Sequence, residues 1–244
     1  MATRVIVNGA RGKMGSLACE TIKNHPDFEL VGALSRHDDL STAIVNTKAQ
    51  IVIDLTRADC AYDNTLTIIN SGAHPVIGTS GLNLKQIKQL ESLCSEKKLG
   101  GIIAPNFSIS AVLMMKFAAY AARYLSDVEI IEAHHPQKFD APSGTAMKTA
   151  EMIAATRKMT QTEYLSHELI TGARGGTHQG ITIHSLRLPG IMARQQVIFG
   201  APGETLTLMH DSIDRASFMP GIILCCQRVS ELQTLYYGLE HLLT

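Results

Sequence analysis

The sequence has no surplus charge of either sign: 22 lysines and arginines balance 22 aspartates and glutamates. That balance excludes a bulk electrostatic attraction to nucleic acid or to an anionic membrane, so any anion binding must come from local clusters. Nor is there a run of about 20 apolar residues of the kind a membrane span needs. The longest apolar stretch, around residues 109–124, is broken by Lys116 and reads as a core helix. The five cysteines (Cys19, Cys60, Cys94, Cys225 and Cys226) are odd in number and lack metal-ligand spacing. Reduced, mostly buried thiols in a cytoplasmic protein are expected. Internal repeats and low-complexity tracts are absent too. The opening run M-A-T-R-V-I-V-N-G enters a strand pattern at once, so no signal peptide is expected. What is present, 244 residues with 45% hydrophobic and 18% charged, fits a globular protein with a sizeable core in one large or two small domains.

Residues 4–8 (R-V-I-V-N) form a β-branched run ending at Gly9-Ala10-Arg11-Gly12-Lys13-Met14-Gly15, after which apolar positions recur at helical spacing. A glycine-rich turn between strand and helix can bind phosphate, because glycine admits close backbone approach and the helix start offers unpaired N–H groups. The spacing G-x-x-G-x-x-G is one residue longer than the usual dinucleotide fingerprint, so the motif by itself also fits an ordinary tight turn. Residues 29–34, 50–55, 73–77 and 101–104 read as further strands, with helices over 58–69 and 84–93. This alternation predicts a parallel sheet, whose ligands bind beyond the carboxyl ends of its strands. Five loops fall at those ends: residues 9–15, Ser35-Arg36, Thr56-Arg57, Gly78–Gly81 and 104–107. Ser35-Arg36 stands where an acid would normally hold the adenosine ribose. A hydroxyl and a guanidinium there favour NADP, although Asp38 and Asp39 lie close by and a solvated arginine is the plain alternative.

After residue 107 the pattern changes to a helix over 110–124, a strand over 127–133, a helix over 144–158, a polar stretch to Thr177 and strands over 181–188, 194–199 and 204–209. A mixed or antiparallel sheet in a second domain is expected. Residues 214–230 read as helical, interrupted at Pro220-Gly221, and as returning to the first domain.

Between the strand at 127–133 and the helix at 144–158 runs E-A-H-H-P-Q-K-F-D-A-P-S-G-T-A, residues 132–146. Histidine titrates near neutrality and can exchange a proton in turnover. Lys138 is a cation for a carboxylate or a second proton donor. Ser143 is a good N-cap after Pro142, and Gly144 and Thr145 would then present first-turn amides to an anion. The rival readings are a polar loop with a plain helix cap, or a zinc site. Zinc fits poorly, because adjacent histidines on an extended chain point apart and no H-x3-H or C-x-x-C partner is present.

This run resembles the signature of the 4-hydroxy-tetrahydrodipicolinate reductase (dihydrodipicolinate reductase) family of bacterial and plant lysine biosynthesis. The likeness covers nearly the whole chain: G-x-x-G-x-M-G at 9–15, D-x-T-R at 54–57, G-T-S-G at 78–81, A-P-N-F-S at 104–108, H-S-L-R-L-P-G at 184–190 and R-x-x-F at 215–218. The resemblance implies an α/β protein, with a Rossmann-like parallel sheet domain (1–107 and 214–244) and an α+β substrate-binding and oligomerisation domain with a mixed sheet (108–213). It implies His134 as proton donor and acceptor, Lys138 as second proton donor, and His135, Ser143, Gly144 and Thr145 as substrate-binding. For the cofactor, NADPH and/or NADH, it implies Gly9, Ala10, Arg11, Gly12, Lys13 and Met14 at the pyrophosphate and Arg36, with Ser35, at the 2′-phosphate. Gly78, Thr79, Ser80, Ala104, Pro105, Asn106 and Phe107 would line the nicotinamide side, and Arg57, Arg215 and Phe218 join the cofactor set. Ser35 departs from members with an acid there, and residues 36–50 look like a trimmed surface loop.

The implied reaction is NAD(P)H-dependent reduction of 4-hydroxy-tetrahydrodipicolinate to tetrahydrodipicolinate, with loss of water, by a homotetramer. The expected partner is a small dicarboxylate, with no metal, nucleic acid or membrane. Two alternatives stand beside it. A two-domain semialdehyde dehydrogenase would need a nucleophilic cysteine, and none lies near the loop. A non-catalytic dinucleotide-binding sensor would bind NADPH without consuming it.

Overall fold

The computed structural model describes residues 2–79, 81–158 and 167–243. The chain divides into two compact units, Met1–Ile109 with Phe218–Thr244, and Ser110–Ser217. The first unit opens with β1 (Thr3–Asn8), α1 (Lys13–Lys23), β2 (Phe28–Leu34), α2 (Leu40–Thr47), β3 (Ile51–Asp54), α3 (Ala61–Asn70), β4 (His74–Ile77), α4 (Leu84–Lys97) and β5 (Gly101–Ile103). The second unit holds most of α5 (Ile109–Ala121), then β6 (Asp127–His134), α6 (Gly144–Thr156), β7 (Gly176–His178), β8 (Ile181–Arg187), β9 (Ala193–Ala201) and β10 (Glu204–Ser212). The first unit resumes with α7 (Met219–Arg228) and β11 (Leu235–Tyr237).

The first sheet has the order β11-β5-β4-β3-β1-β2 with every pairing parallel. Its central strands are apolar on both faces: Val5, Ile6, Val7, Val52 and Ile53 are wholly buried, as a sheet covered by helices requires. The chain turns one way from β1 to β2 and the other way to β3, so β1 marks the point where the winding reverses. The carboxyl ends of β5, β4, β3, β1 and β2 consequently stand in a row.

Three features differ from the sequence reading. Residues 36–50 are no bare loop but carry α2, because Asp39 caps it by accepting the Thr42 N–H at 2.6 Å and Ile44 anchors it in the core. Pro220-Gly221 does not interrupt a helix but starts one: proline is tolerated at the first turn, where its missing N–H has no intrahelical partner. Gly221 is there because a Cβ would lie 1.9 Å from the Phe107 carbonyl oxygen. The short strands β7 and β11 have three residues each, too few for periodicity to reveal.

The second sheet, β10-β9-β6-β8-β7, is mixed as expected, with β6 and β8 parallel and its other pairings antiparallel. Strand alternation sends Val128, Ile130 and Glu132 of β6 to one buried face, in register with Ile183 and Ser185 of β8 and with Gln195, Val197 and Phe199 of β9. An acid therefore stands at a position where packing calls for a hydrophobe. Among the described residues no helix is long and apolar enough to cross a membrane.

Candidate functional site

The glycine turn of the first unit sits where the winding reverses. Gly9 has φ +87°, and a Cβ on it would approach the Leu55 carbonyl oxygen to 2.6 Å; one on Gly15 would meet the Gly9 carbonyl oxygen at 2.1 Å. The turn is thus pressed against the end of β3 and against α1. Gly12 precedes α1 with no side-chain cap, and the first turn has no acid. The amides of Lys13 and Met14 consequently lack intrahelical acceptors in a locally positive field. Ala10 N and Gly9 N both donate to the Leu34 carbonyl (2.9 and 3.0 Å), tying this turn to the tip of β2.

At that tip Arg36 is exposed and donates from Nε to the His37 ring at 3.2 Å. Ser35 is engaged locally: its N–H and hydroxyl donate to Asp38 at 2.7 and 2.9 Å. Those two bonds, with a smaller contribution from the nearby Arg11 charge, hold the Asp38 carboxyl below its usual range. Arg57 is exposed and pairs with Asp59 at 3.2 Å.

The ends of β3, β4 and β5 meet around two buried groups. Gly78 is needed because a Cβ would lie 2.4 Å from the Phe107 ring, which is itself buried. Asp54 is wholly buried and accepts from Asn8 Nδ2 (3.0 Å), Asn64 Nδ2 (2.8 Å), Thr56 N (3.1 Å), Thr56 Oγ1 (2.6 Å) and Thr79 Oγ1 (3.0 Å). Ala104 donates to the Ile77 carbonyl, and Asn106 Oδ1 accepts the Ser108 N–H at 2.8 Å, shaping the Ala104-Pro105-Asn106-Phe107 loop. Ser80 lies outside the described residues. Arg215 and Phe218 bound a 3-10 turn at the junction where the second unit ends and the first resumes, and the first unit's strand-end set does not include Arg215.

In the second unit β6 delivers its last residue, His134, onto the same face as Glu132. His134 Nδ1 lies 2.5 Å from Glu132 Oε2. Arg187, paired in register with His134, donates two N–H groups to Glu132 (NH1 to Oε2 and NH2 to Oε1, both 3.0 Å). Ser143 N donates to Oε1 at 3.2 Å, and the Ser185 side chain bonds the same carboxylate. Burial by itself would raise the Glu132 carboxyl, but the His134, Arg187 and Ser185 bonds outweigh it and hold it at about 2. Arg187 also bonds the chain beyond: Nε to the Lys138 carbonyl (3.3 Å) and NH2 to the Asp140 carbonyl (2.5 Å). Lys138 Nζ rests on the Asp140 carboxylate at 2.7 Å.

Ser143 caps α6, its Oγ accepting the Ala146 N–H at 3.2 Å, and Gly144 and Thr145 supply the two amides ahead of it. A Cβ on Gly144 would meet nothing within 4 Å, so the fold itself does not demand glycine there. His135 Nδ1 is a buried ring nitrogen with no hydrogen-bond partner among the described residues. The loop thus carries His134, His135, Lys138, Ser143, Gly144 and Thr145 within twelve residues, and His134 and Ser143 N bond the buried Glu132 carboxylate directly. Glu132 and Arg187 escaped the sequence reading as site residues. The available signal was an acid, and on β8 an arginine, at inward positions of otherwise apolar strand faces.

A parallel sheet with its glycine turn at the winding reversal, next in sequence to a unit presenting imidazoles, an ammonium and helix-start amides, has the organisation of two-domain oxidoreductases on a dinucleotide-binding fold. Comparison with known proteins makes this particular. Residues 3–107 match the model of "Dihydrodipicolinate reductase, N-terminus" and residues 110–243 that of "Dihydrodipicolinate reductase, C-terminus". The chain belongs to the dihydrodipicolinate reductase family. It is 65% identical over 243 residues to the 4-hydroxy-tetrahydrodipicolinate reductase of Legionella pneumophila (strain Lens) and 54% identical to that of Coxiella burnetii (strain Dugway 5J108-111), covering 100% of each chain in both cases. A solved dipicolinate-bound dihydrodipicolinate reductase from Paenisporosarcina sp. TG-14 superposes with a TM-score of 0.90 at 43% identity, over 99% of both chains.

Proposed function

We propose that this chain reduces 4-hydroxy-tetrahydrodipicolinate to tetrahydrodipicolinate in lysine and diaminopimelate biosynthesis, consuming one NAD(P)H and one proton and releasing one water. The observation that carries the reading is the loop of the second unit, where His134 and the Ser143 N–H at the start of α6 bond buried Glu132 and Arg187 ties the Lys138 carbonyl to the same carboxylate, with His135 next in sequence. When bound, the dihydronicotinamide supplies the hydride. The first unit fits such a group: Gly9, Gly12 and Gly15 allow close backbone approach, and the Lys13 and Met14 amides suit a pyrophosphate. Arg36 suits a 2′-phosphate, whereas Ser35 has its hydroxyl proton committed to Asp38.

His134, facing outward from its bond to Glu132, supplies the proton, and Lys138 is the second donor once it leaves Asp140. The Gly144 and Thr145 amides with His135 hold a substrate carboxylate. The open space beside Gly144 and the unpartnered His135 Nδ1 both support that role. We also assign the protein to the cytoplasm as a homotetramer built through the second sheet, whose edge strand β10 exposes Leu206 and Met209 along nine residues.

The test is an absorbance assay with the lysine-pathway precursor, NADPH and NADH in parallel. Consumption of reduced cofactor that depends on the precursor is expected, and cofactor binding without consumption would refute the reading. In the same assay Arg36→Ala should raise KM for NADPH roughly 10-fold while leaving NADH nearly unchanged.

A further inference from the structure

We propose that Glu132 and Arg187 are positioning residues for proton transfer, Glu132 fixing which nitrogen of His134 exchanges its proton and Arg187 fastening the Lys138 turn to the same carboxylate. The inference rests on the reading above, in which His134 and Lys138 are the proton donors.

A carboxylate offers only acceptors, so the His134 nitrogen lying 2.5 Å from Glu132 Oε2 has to be the protonated one. With Nδ1–H committed inward, Nε2 is left as the nitrogen that gains and loses the proton. The ring cannot turn over without leaving its bond to a fully buried acid. Glu132 is itself held on the remaining sides by Arg187, Ser143 N and Ser185, so it cannot follow the ring.

Arg187 completes the device. Its five N–H groups all find oxygen: two on Glu132, and one each on the carbonyls of Leu186, Lys138 and Asp140. One guanidinium thereby joins strand β6 to both ends of the Lys138–Asp140 turn. A lysine in its place could keep the charge but not this fork. The two proton donors share one anchor, and loosening it should disturb both together.

The first measurement needs no variant. Imidazole 15N shifts of His134 in the ligand-free protein should show Nδ1 protonated across neutral pH; an Nε2–H tautomer would overturn the proposal. In Glu132→Gln the single tautomer should be lost and kcat should fall roughly 10–100-fold, with KM for NADPH within about twofold of wild type. Arg187→Lys should lower kcat in the same way. Because Glu132→Gln leaves the half-buried Arg187 guanidinium without its counter-charge, the double variant E132Q/R187M is the companion. It should melt closer to wild type yet remain as slow as the single variant. Wild-type kcat in any of these three folded variants would overturn the proposal. A wild-type protein that consumes no cofactor would refute the proposed reaction instead, while the tautomer measurement still decides what Glu132 does.

Discussion

Asp54 and Glu132 are both withdrawn from solvent, one in each unit, and each is surrounded by five donors. Their surroundings differ in kind. Around Asp54 every donor is neutral: two asparagine amides, two threonine hydroxyls and a backbone N–H. Around Glu132 three of the five bonds come from a guanidinium and an imidazole. A carboxylate caged by amides and hydroxyls ties together the ends of β1, β3, β4 and α3 and has no partner that changes charge near neutrality. The Glu132 carboxylate is instead bonded to an imidazole and a guanidinium. The first arrangement is a fastener under the strand-end loops. The second, on the function proposed above, holds the ring that would exchange the proton.

The sharpest way to break this contrast is His134→Gln. Turnover should fall roughly 10²–10⁴-fold, and near-normal steady-state rates would remove the reactive role from the Glu132 cage. Acid titration probes the cage itself. Glu132 is held at about 2 in the folded protein against an ordinary 4.5. Its contribution, on the order of 3 kcal/mol, is therefore fully present above about pH 4.5 and lost as pH falls towards 2. Urea unfolding across that window should show wild-type stability declining more steeply than that of Glu132→Gln; parallel curves would mean the bonds to Glu132 add nothing to folding.

On the other side of the comparison, Asp54→Asn forces an amide N–H against donors that need an acceptor. It should cost about 2–3 kcal/mol in denaturant midpoint, while single-turnover rates of the folded protein at saturating cofactor stay near wild type. A stable variant with abolished chemistry would reverse the assignment. Smallest of all, Asn64→Ala removes one of five neutral donors and should cost about 1 kcal/mol, with kcat unmoved.

Much of this was legible in the chain because it is local. Strand-to-helix alternation over residues 4–104 depends on hydrophobic period and glycine placement, so the parallel sheet and its row of strand-end loops could be read directly. His134, His135, Lys138 and the Ser143 cap lie within twelve residues, close enough for one signature to carry them. The misreadings were short or context-bound. The helix α2 hangs on one Asp39 cap and one buried isoleucine, and the three-residue β7 and β11 are strands only through their pairing with β8 and β5.

By itself, then, the sequence determined the fold class and the family, and it put His134, His135, Lys138 and the Ser143 cap on one loop. Only tertiary structure decided how those groups are held. Glu132 and Arg187 are 55 residues apart and meet because β6 and β8 pair in parallel register. Asp54 collects donors from four separate segments for the same reason. Such contacts are set by pairing across long connections, which no local periodicity encodes, and whether a buried carboxylate is held by neutral donors alone or by an imidazole and a guanidinium depends on which side chains that pairing brings to it.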